Sequence, residues 1–279
     1  TWSQNSIELK KPPMNIKNLV KKIIFRFYQI KKEKNPFFEK YKNLPEFYIL
    51  GSSPSLLNFD LKKLKNKPVL TLNNNFIHPD FNYFMKSEEV VKIHLVPPIH
   101  PPQSEKTWVL WFKEMEKKMP KNVFLFFGIN NYKVNTKYLI NKYQLFDNHK
   151  VFYFKVYHEM VFFKRIKIRN FNFIPGFNVG SSYGLFLLKY LNSKKIFMLG
   201  IDMNMIQYDD VGGYRFYKKS NHQRVEKKPK KFTQVLGLSK TIKENLIIKN
   251  FNDSNSKIYN CSNKSYLDMF PFTKYNPEA

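Results

Sequence analysis

Cysteine is almost missing from this chain. Cys261 stands alone, which rules out an intrachain disulfide framework and a cysteine-based metal cage and fits a reducing compartment. Glycine is scarce too, with 9 in 279 residues, so each glycine-bearing turn stands out. Acidic residues are few: 21 Asp and Glu face 48 Lys and Arg, a formal charge of +27. No apolar run approaches the roughly 18 residues that cross a bilayer as a helix. No secretory signal is evident. The chain therefore reads as soluble or bound to a membrane surface, and the expected location is the cytoplasm, at the inner face of the membrane. Zinc-ligand spacings, a helix-turn-helix and an RNP-type motif are also lacking, so the basic charge is not matched by a nucleic-acid signature.

What is present suffices for a sizeable core in one large domain, since 43% of residues are hydrophobic and 17% aromatic. A surface this cationic attracts phosphates, whether in nucleic acid, anionic lipid or nucleotide. Lys, Asn, Phe, Ile and Tyr dominate in the manner of an AT-rich coding sequence, so lysine count alone carries no argument.

Residues 1–13 do not resemble the rest of the chain. From Met14, the residues Ile16, Leu19, Val20, Ile23, Ile24, Phe27 and Ile30 recur at helical spacing, with Lys17, Lys21, Lys22, Arg26 and Lys31 between them. Two readings stay open: a basic amphipathic helix lying on an anionic membrane, or a terminal helix packing its stripe on the domain. Further on, "FYIL", "PVLTLNNNF", "NYFM", "NVFLFFGIN", "IFML" (196–199) and "KIYNCS" read as strands. "TWVLWFKEMEKKM", 183–191 and a stretch from Leu238 to "LIIKNF" read as helices. Residues 128–172 show no clear period. This alternation predicts an α/β fold with a mostly parallel sheet. The charge-rich stretch 217–231 reads as a loop or lid. The expected organisation is a basic leader and helix over 1–45, a nucleotide-binding domain over 46–202 and 234–279, and a lid over 203–233.

In such sheets ligands bind beyond the carboxyl ends of the strands, and the small polar residues collect there. After "FYIL", Gly51 permits a tight turn, Ser52, Ser53 and Ser55 come next, and Pro54 sits near an expected helix start. Free main-chain N–H groups at such a turn can cradle a phosphate, although neither a G-x-G-x-x-G fingerprint nor a P-loop is present. The second strand ends in Asn73, Asn74 and Asn75, suited to a base edge or ribose, or equally to a capped turn. Asn178, Gly180, Ser181 and Ser182 precede another helix, and Gly200 and Asp202 end a late strand.

"FYILGSSPSL", "LTLNNNF", "FNVGSSYG", "KKIFMLGID" and "GLSKTIKENL…KIYNCSNKSYLDMFP" occur in an order that resembles the glycosyltransferase family 42 sialyltransferases of bacteria. The match covers roughly residues 47–92 and 174–271. The turn alone is shared with flagellin-glycosylation factors and pterin diphosphokinase-like proteins. The resemblance implies a Rossmann-like, GT-A-like nucleotide fold whose lid closes over a CMP-activated sugar. Carried over by position, Gly51, Ser52 and Ser53 lie by the phosphate, Asn74 contacts the nucleotide, and Gly180, Ser181 and Ser182, after Asn178, approach the cytidine-sugar portion. Gly200 and Asp202 border the nucleotide, and Tyr214 matches one of two lid tyrosines that steady the leaving phosphate. Two departures stand out. Asn204 occupies the place of the second lid tyrosine, with Tyr208 or Tyr217 as substitutes. Leu238 occupies the place of the general-base histidine in "GHSK".

A leucine cannot take a proton; an imidazole can at physiological pH. The candidates for that role are His222 in the lid, His94, His100 or His158 from elsewhere, and the carboxylates Asp209 or Asp210. Loss of catalysis is the remaining option. The expected function is inverting transfer of sialic acid or a related keto-sugar from a CMP donor to a hydroxyl of a surface glycan or glycolipid. Ser52, Ser53, Tyr214 and Arg215 or Lys218 would aid the departing phosphate. No metal cofactor is expected, because no D-x-D motif or ligand cluster demands one. The expected partners are a nucleotide-sugar donor, a glycan or glycolipid acceptor, an anionic membrane surface and a second copy of the chain. Rival readings are a Mg-dependent pyrophosphokinase-like phosphotransferase, and a nucleotide-fold subunit without catalysis in an RNA or membrane assembly.

Overall fold

The computed structural model describes residues 20, 23, 27–29, 35–101, 103–157, 169–208, 215–217, 231–251 and 255–278. Its frame is one sheet of β1 (Glu46–Leu50), β2 (Val69–Leu72), β3 (Lys92–Val96), β4 (Phe124–Ile129), β5 (Lys150–Tyr157), β6 (Phe173–Pro175), β7 (Lys195–Leu199) and β8 (Lys257–Asn260). All neighbours pair in parallel, in the order β6-β5-β4-β3-β2-β1-β7-β8. A parallel sheet needs both faces covered, and the strands supply apolar residues to both. Phe47 and Ile49 of β1 enter one core; Tyr48 and Leu50 enter the other. Helices α1 (Pro36–Tyr41), α5 (Gly180–Tyr190) and α6 (Lys231–Lys249) cover the first face. Helices α2 (Phe81–Met85), α3 (Glu105–Lys118) and α4 (Thr136–Tyr143) cover the second. The result is a Rossmann-like α/β architecture, as the alternation of elements implied.

The path of the chain positions the site. From β1 to β6 each strand is laid beside the last in one direction; α5 then carries the chain back to β7, on the other side of β1. The strand order therefore reverses between β1 and β7, and a crevice opens at such a reversal beyond the carboxyl ends. Every residue of α5 from Ser181 to Tyr190 is buried, between the sheet and α6.

Several local expectations are corrected. "NYFM" belongs to helix α2, because Phe81, Phe84 and Met85 are buried at helical spacing while Asn82 and Tyr83 are exposed. Strand β3 carries no long apolar run: Lys92 and His94 interrupt it, yet both are fully buried. The segment after Gly51 forms two 3-10 turns, Pro54–Asn58 and Leu61–Leu64, in place of one α-helix. Residues 128–172, without a legible period, hold α4 and β5. Helix α6 starts at Lys231 rather than near Leu238, so the end of the stretch expected as a lid, 231–233, is helical. Most of that stretch lies outside the described residues.

Candidate active site at the strand-order reversal

The ends of β1 and β7 are pressed together. A Cβ on Gly51 would sit 2.2 Å from the Gly200 carbonyl oxygen, so no side chain fits there. Gly200 turns the chain with φ +63°, in the left-handed region that favours glycine. The Gly51 amide donates to Leu199 O (2.8 Å) and the Ser53 amide to Gly200 O (2.9 Å). Of the main-chain donors expected to be free at the corner, these two amides are already bonded to the neighbouring strand end. The following turn is a 3-10 helix of 5 residues and not the start of an α-helix. The side chains take over instead. Ser53 Oγ accepts from the Asp202 amide (3.1 Å), and Ser55 Oγ donates to Asp202 Oδ1 (2.6 Å). Asp202 is buried, and its carbonyl accepts from the Tyr266 amide (2.7 Å).

The three asparagines after β2 do three different things. Asn75 is structural: Oδ1 accepts from the Leu72 amide and Nδ2 donates to Gly51 O, both at 2.7 Å, which ties β2 to β1. Asn74 is half-buried and joins the site: Trp111 Nε1 donates to its Oδ1 (2.5 Å), and its Nδ2 donates to the Tyr217 hydroxyl (2.9 Å). Asn73 turns the chain at φ 47°. A Cβ on Gly180 would lie 2.9 Å from Asn73 Nδ2 and 3.3 Å from Pro97 Cγ, so the start of α5 abuts the ends of β2 and β3.

Residues 215–217 close over this group. The Phe216 amide donates to Ser52 O (2.9 Å). The Tyr217 hydroxyl accepts from Asn74 Nδ2 and from Arg215 Nη1 (2.6 Å). The Phe216 ring lies 5.4 Å from the ring of His78, which is buried. His78 Nδ1 accepts from the Asp80 amide (3.2 Å), which places the proton of the neutral ring on Nε2; burial holds its pKa below the ordinary histidine value, and the Asp80 charge opposes that. Sequence reading overlooked His78, Trp111 and Tyr266, since none lies in a small-residue motif.

Not all of the expected residues converge. Gly51, Ser52, Ser53, Asn74, Gly180, Gly200 and Asp202 gather at the reversal. Asn178 is tied to α6: its amide donates to both Glu244 oxygens (2.9 Å each), and its Nδ2 to Gly237 O and Thr241 Oγ1 (3.2 Å each). Ser182 has no exposed surface and accepts from Asn245 Nδ2 (3.4 Å) in the same seam. Burial raises the Glu244 pKa, while the bonds from Asn178 and Ser182 pull it down. Ser181 Oγ, one residue into α5, is buried without a hydrogen-bond partner. The candidate catalytic residues His222, Tyr214 and Asp209 lie outside the described residues, as do Asp210, His158 and Lys218.

Two other candidate bases can be placed. His94 has no exposed surface, its Nδ1 lies 2.8 Å from Thr71 Oγ1, and burial drives its pKa down to about 3. It is a core residue of β3 and no base at neutral pH. His100 is exposed, with Nδ1 2.6 Å from Pro101 O. Asn204, in the place of the second lid tyrosine, is buried and caps a 3-10 turn, with its Nδ2 bonded to Gln207 Oε1 (3.3 Å). Tyr217 stands in the site. Burial pushes the Cys261 thiol up to about 12, so it is no nucleophile. Among the described residues, no group of three or more His, Cys, Asp or Glu lies together as a metal site.

No protein-family profile matches the chain. No curated protein matches it either. A solved structure of the sialyltransferase CstII from Campylobacter jejuni, in complex with the substrate analogue cytidine-5'-monophosphate, is similar at 15% identity and a TM-score of 0.45, over 85% of this chain and 88% of that one.

Proposed function

We propose that the protein is an inverting glycosyltransferase that takes a sugar from a CMP-activated donor. The observation that carries this reading is a set of donors at the strand-order reversal. Ser53 Oγ already accepts from the Asp202 amide, and the Tyr217 oxygen from Asn74 and Arg215. Both oxygens act as acceptors, and no bond among the described residues takes their protons. They are left as donors, beside the Arg215 guanidinium. Donors fixed in advance by their neighbours suit an anion whose charge grows during reaction.

In this mechanism an acceptor hydroxyl attacks the anomeric carbon as the bond to the phosphate oxygen breaks. The new bond forms on the opposite face, and CMP departs with the electron pair. Ser53, Tyr217 and Arg215 stabilise the departing monophosphate, joined by Tyr214, which directly precedes Arg215 in the chain. The acceptor proton passes to a base, for which His222 and Asp209 remain the candidates. The site chemistry asks for no metal, since hydroxyl and guanidinium donors meet the leaving charge. The acceptor is a glycan or glycolipid hydroxyl.

A thermal-shift panel with CMP, CDP, UDP, GDP and inorganic phosphate tests the reading. Selective stabilisation by CMP is expected, about 2.7 kcal/mol at a ligand concentration 100 times Kd. No response to either cytidine nucleotide would overturn it. A second reading has its own support: Leu238 stands half-buried on α6 where the resembled family carries its base, and the Gly51 and Ser53 amides are occupied. Both fit a nucleotide-fold subunit without catalysis. CMP binding with no sugar transfer would favour it, as would salt-sensitive RNA binding with no CMP response.

A further inference from the structure

The first helical residues present an apolar face that the rest of the protein leaves open. Val20, Ile23 and Phe27 are helical and 47%, 58% and 72% exposed. Steps of three and four residues put them on one face. A stripe packed on the domain would be buried. These residues are instead held by an anchor just after them in the chain. Tyr28 stacks on Phe173 of β6, with centroids 4.1 Å apart and planes 17° apart. The buried Gln29 side chain accepts from the amides of Arg169 (2.8 Å) and Asn170 (3.0 Å) and donates to the carbonyls of Asn170 (3.1 Å) and Phe173 (2.8 Å). Strand β6 is the outermost of the sheet on that side. The anchor therefore fixes the open face at one edge of the molecule.

A second exposed apolar group lies at the start of α6. Phe232, Val235 and Leu236, again at helical spacing in the first turns of α6, are 72%, 51% and 46% exposed. Helix α6 is tied to the segment just after β6 through the bonds of Asn178 to Gly237 and Thr241.

Charge identifies the occupant. From Lys10 to Lys32 the sequence has 8 Lys and Arg and no Asp or Glu. Apolar residues interspersed in the sequence with cations alone match a surface that is negative outside and apolar beneath, which is the interface of an anionic bilayer. A protein partner would have to be acidic and greasy on one patch.

We propose that the β6 edge docks on anionic lipid, with Val20, Ile23 and Phe27 entering the interface. This docking is independent of the transferase reading.

Co-sedimentation of the full chain with vesicles tests it, using phosphatidylcholine alone and phosphatidylcholine mixed with phosphatidylglycerol, each at low and high salt. The protein should pellet with the mixed vesicles at low salt, stay free of the neutral ones, and be released by high salt. The double variant Ile23→Ser/Phe27→Ser should bind the mixed vesicles about tenfold more weakly or worse, because it withdraws two large apolar side chains. Leu110→Ser, which changes a residue of α3 that is 41% exposed on the opposite face of the sheet, should bind as the parent does. Circular dichroism and melting curves verify that the variants are folded. A folded double variant that pellets like the parent overturns the proposal. So does equal pelleting with neutral vesicles. Self-association through these residues with no lipid binding would instead make the face an interface between copies of the chain, and would overturn it too.

Discussion

Lys92 is a cation with no exposed surface. Its ammonium donates to the carbonyls of Leu64 and Lys67, both at 2.8 Å, and so closes the turn that leads into β2. Burial pulls its pKa from 10.5 down to about 7. The sign of the pH effect comes from counting protons. Below pH 7 both folded and unfolded chains hold the proton. Between about 7 and 10.5 only the unfolded chain holds it, so stability rises with pH across that window. Lys92→Met should flatten that rise relative to the parent. It should also remove the ammonium bonds to both carbonyls, of which Leu64 O keeps the Lys67 amide, at a cost of about 1–3 kcal/mol. Melting temperatures of parent and variant between pH 7 and 10 check this; curves that stay parallel would mean that the buried amine keeps its proton throughout.

At the scale of elements, the parallel sheet and the gathering of small residues at strand ends were legible. Three apolar strands are punctuated by Gly51, Asn73 and Gly200, and such punctuation survives without any knowledge of packing. Strand β3 was not legible, because Lys92 and His94 break its apolar run and are rescued only by partners from other elements, Leu64 and Lys67 for one and Thr71 for the other. Nor was the short helix α2 told from a strand, since four residues are too few to fix a period. In the site, sequence singled out Ser53 and Asp202, and the structure bonds the one to the other. It could not tell that the corner's amides face β7, or that of three adjacent asparagines Asn75 is a tie and Asn74 a bridge. Asn178 shows the same limit, since its partners are 59 to 66 residues away on α6. Its geometry is that of a strut between the start of α5 and α6. Asn178→Ala should lower stability by about 1 kcal/mol, through two lost side-chain bonds at an exposed position, and leave the CMP-induced shift unchanged. A variant of normal stability whose CMP shift is abolished would make Asn178 a ligand contact instead.

At the scale of the molecule, charge dominates. With 48 basic residues and 21 acidic ones, most cations have no counterpart. Pairs such as Lys142 with Glu105 (2.7 Å) and Lys118 with Glu114 (2.9 Å) lie at the surface, where an ion pair is worth about 0–1 kcal/mol. The compact state therefore suffers net self-repulsion, which the expanded chain relieves. Raising salt from about 0.01 M to about 0.1 M shortens the screening length from ~30 Å to ~10 Å and should raise the melting temperature. A melting temperature that falls with salt would show that attractive pairs outweigh the repulsion. The same physics sets the control for nucleotide binding. Any phosphate, held anywhere on so cationic a surface, relieves repulsion without selectivity. A ligand that meets Ser53, Tyr217 and Arg215 at the strand-order reversal should saturate, and should stabilise beyond inorganic phosphate at equal ionic strength. If CMP gives only what phosphate gives, the whole shift belongs to the charge of the molecule, and the corner where β1 meets β7 has no selectivity of its own.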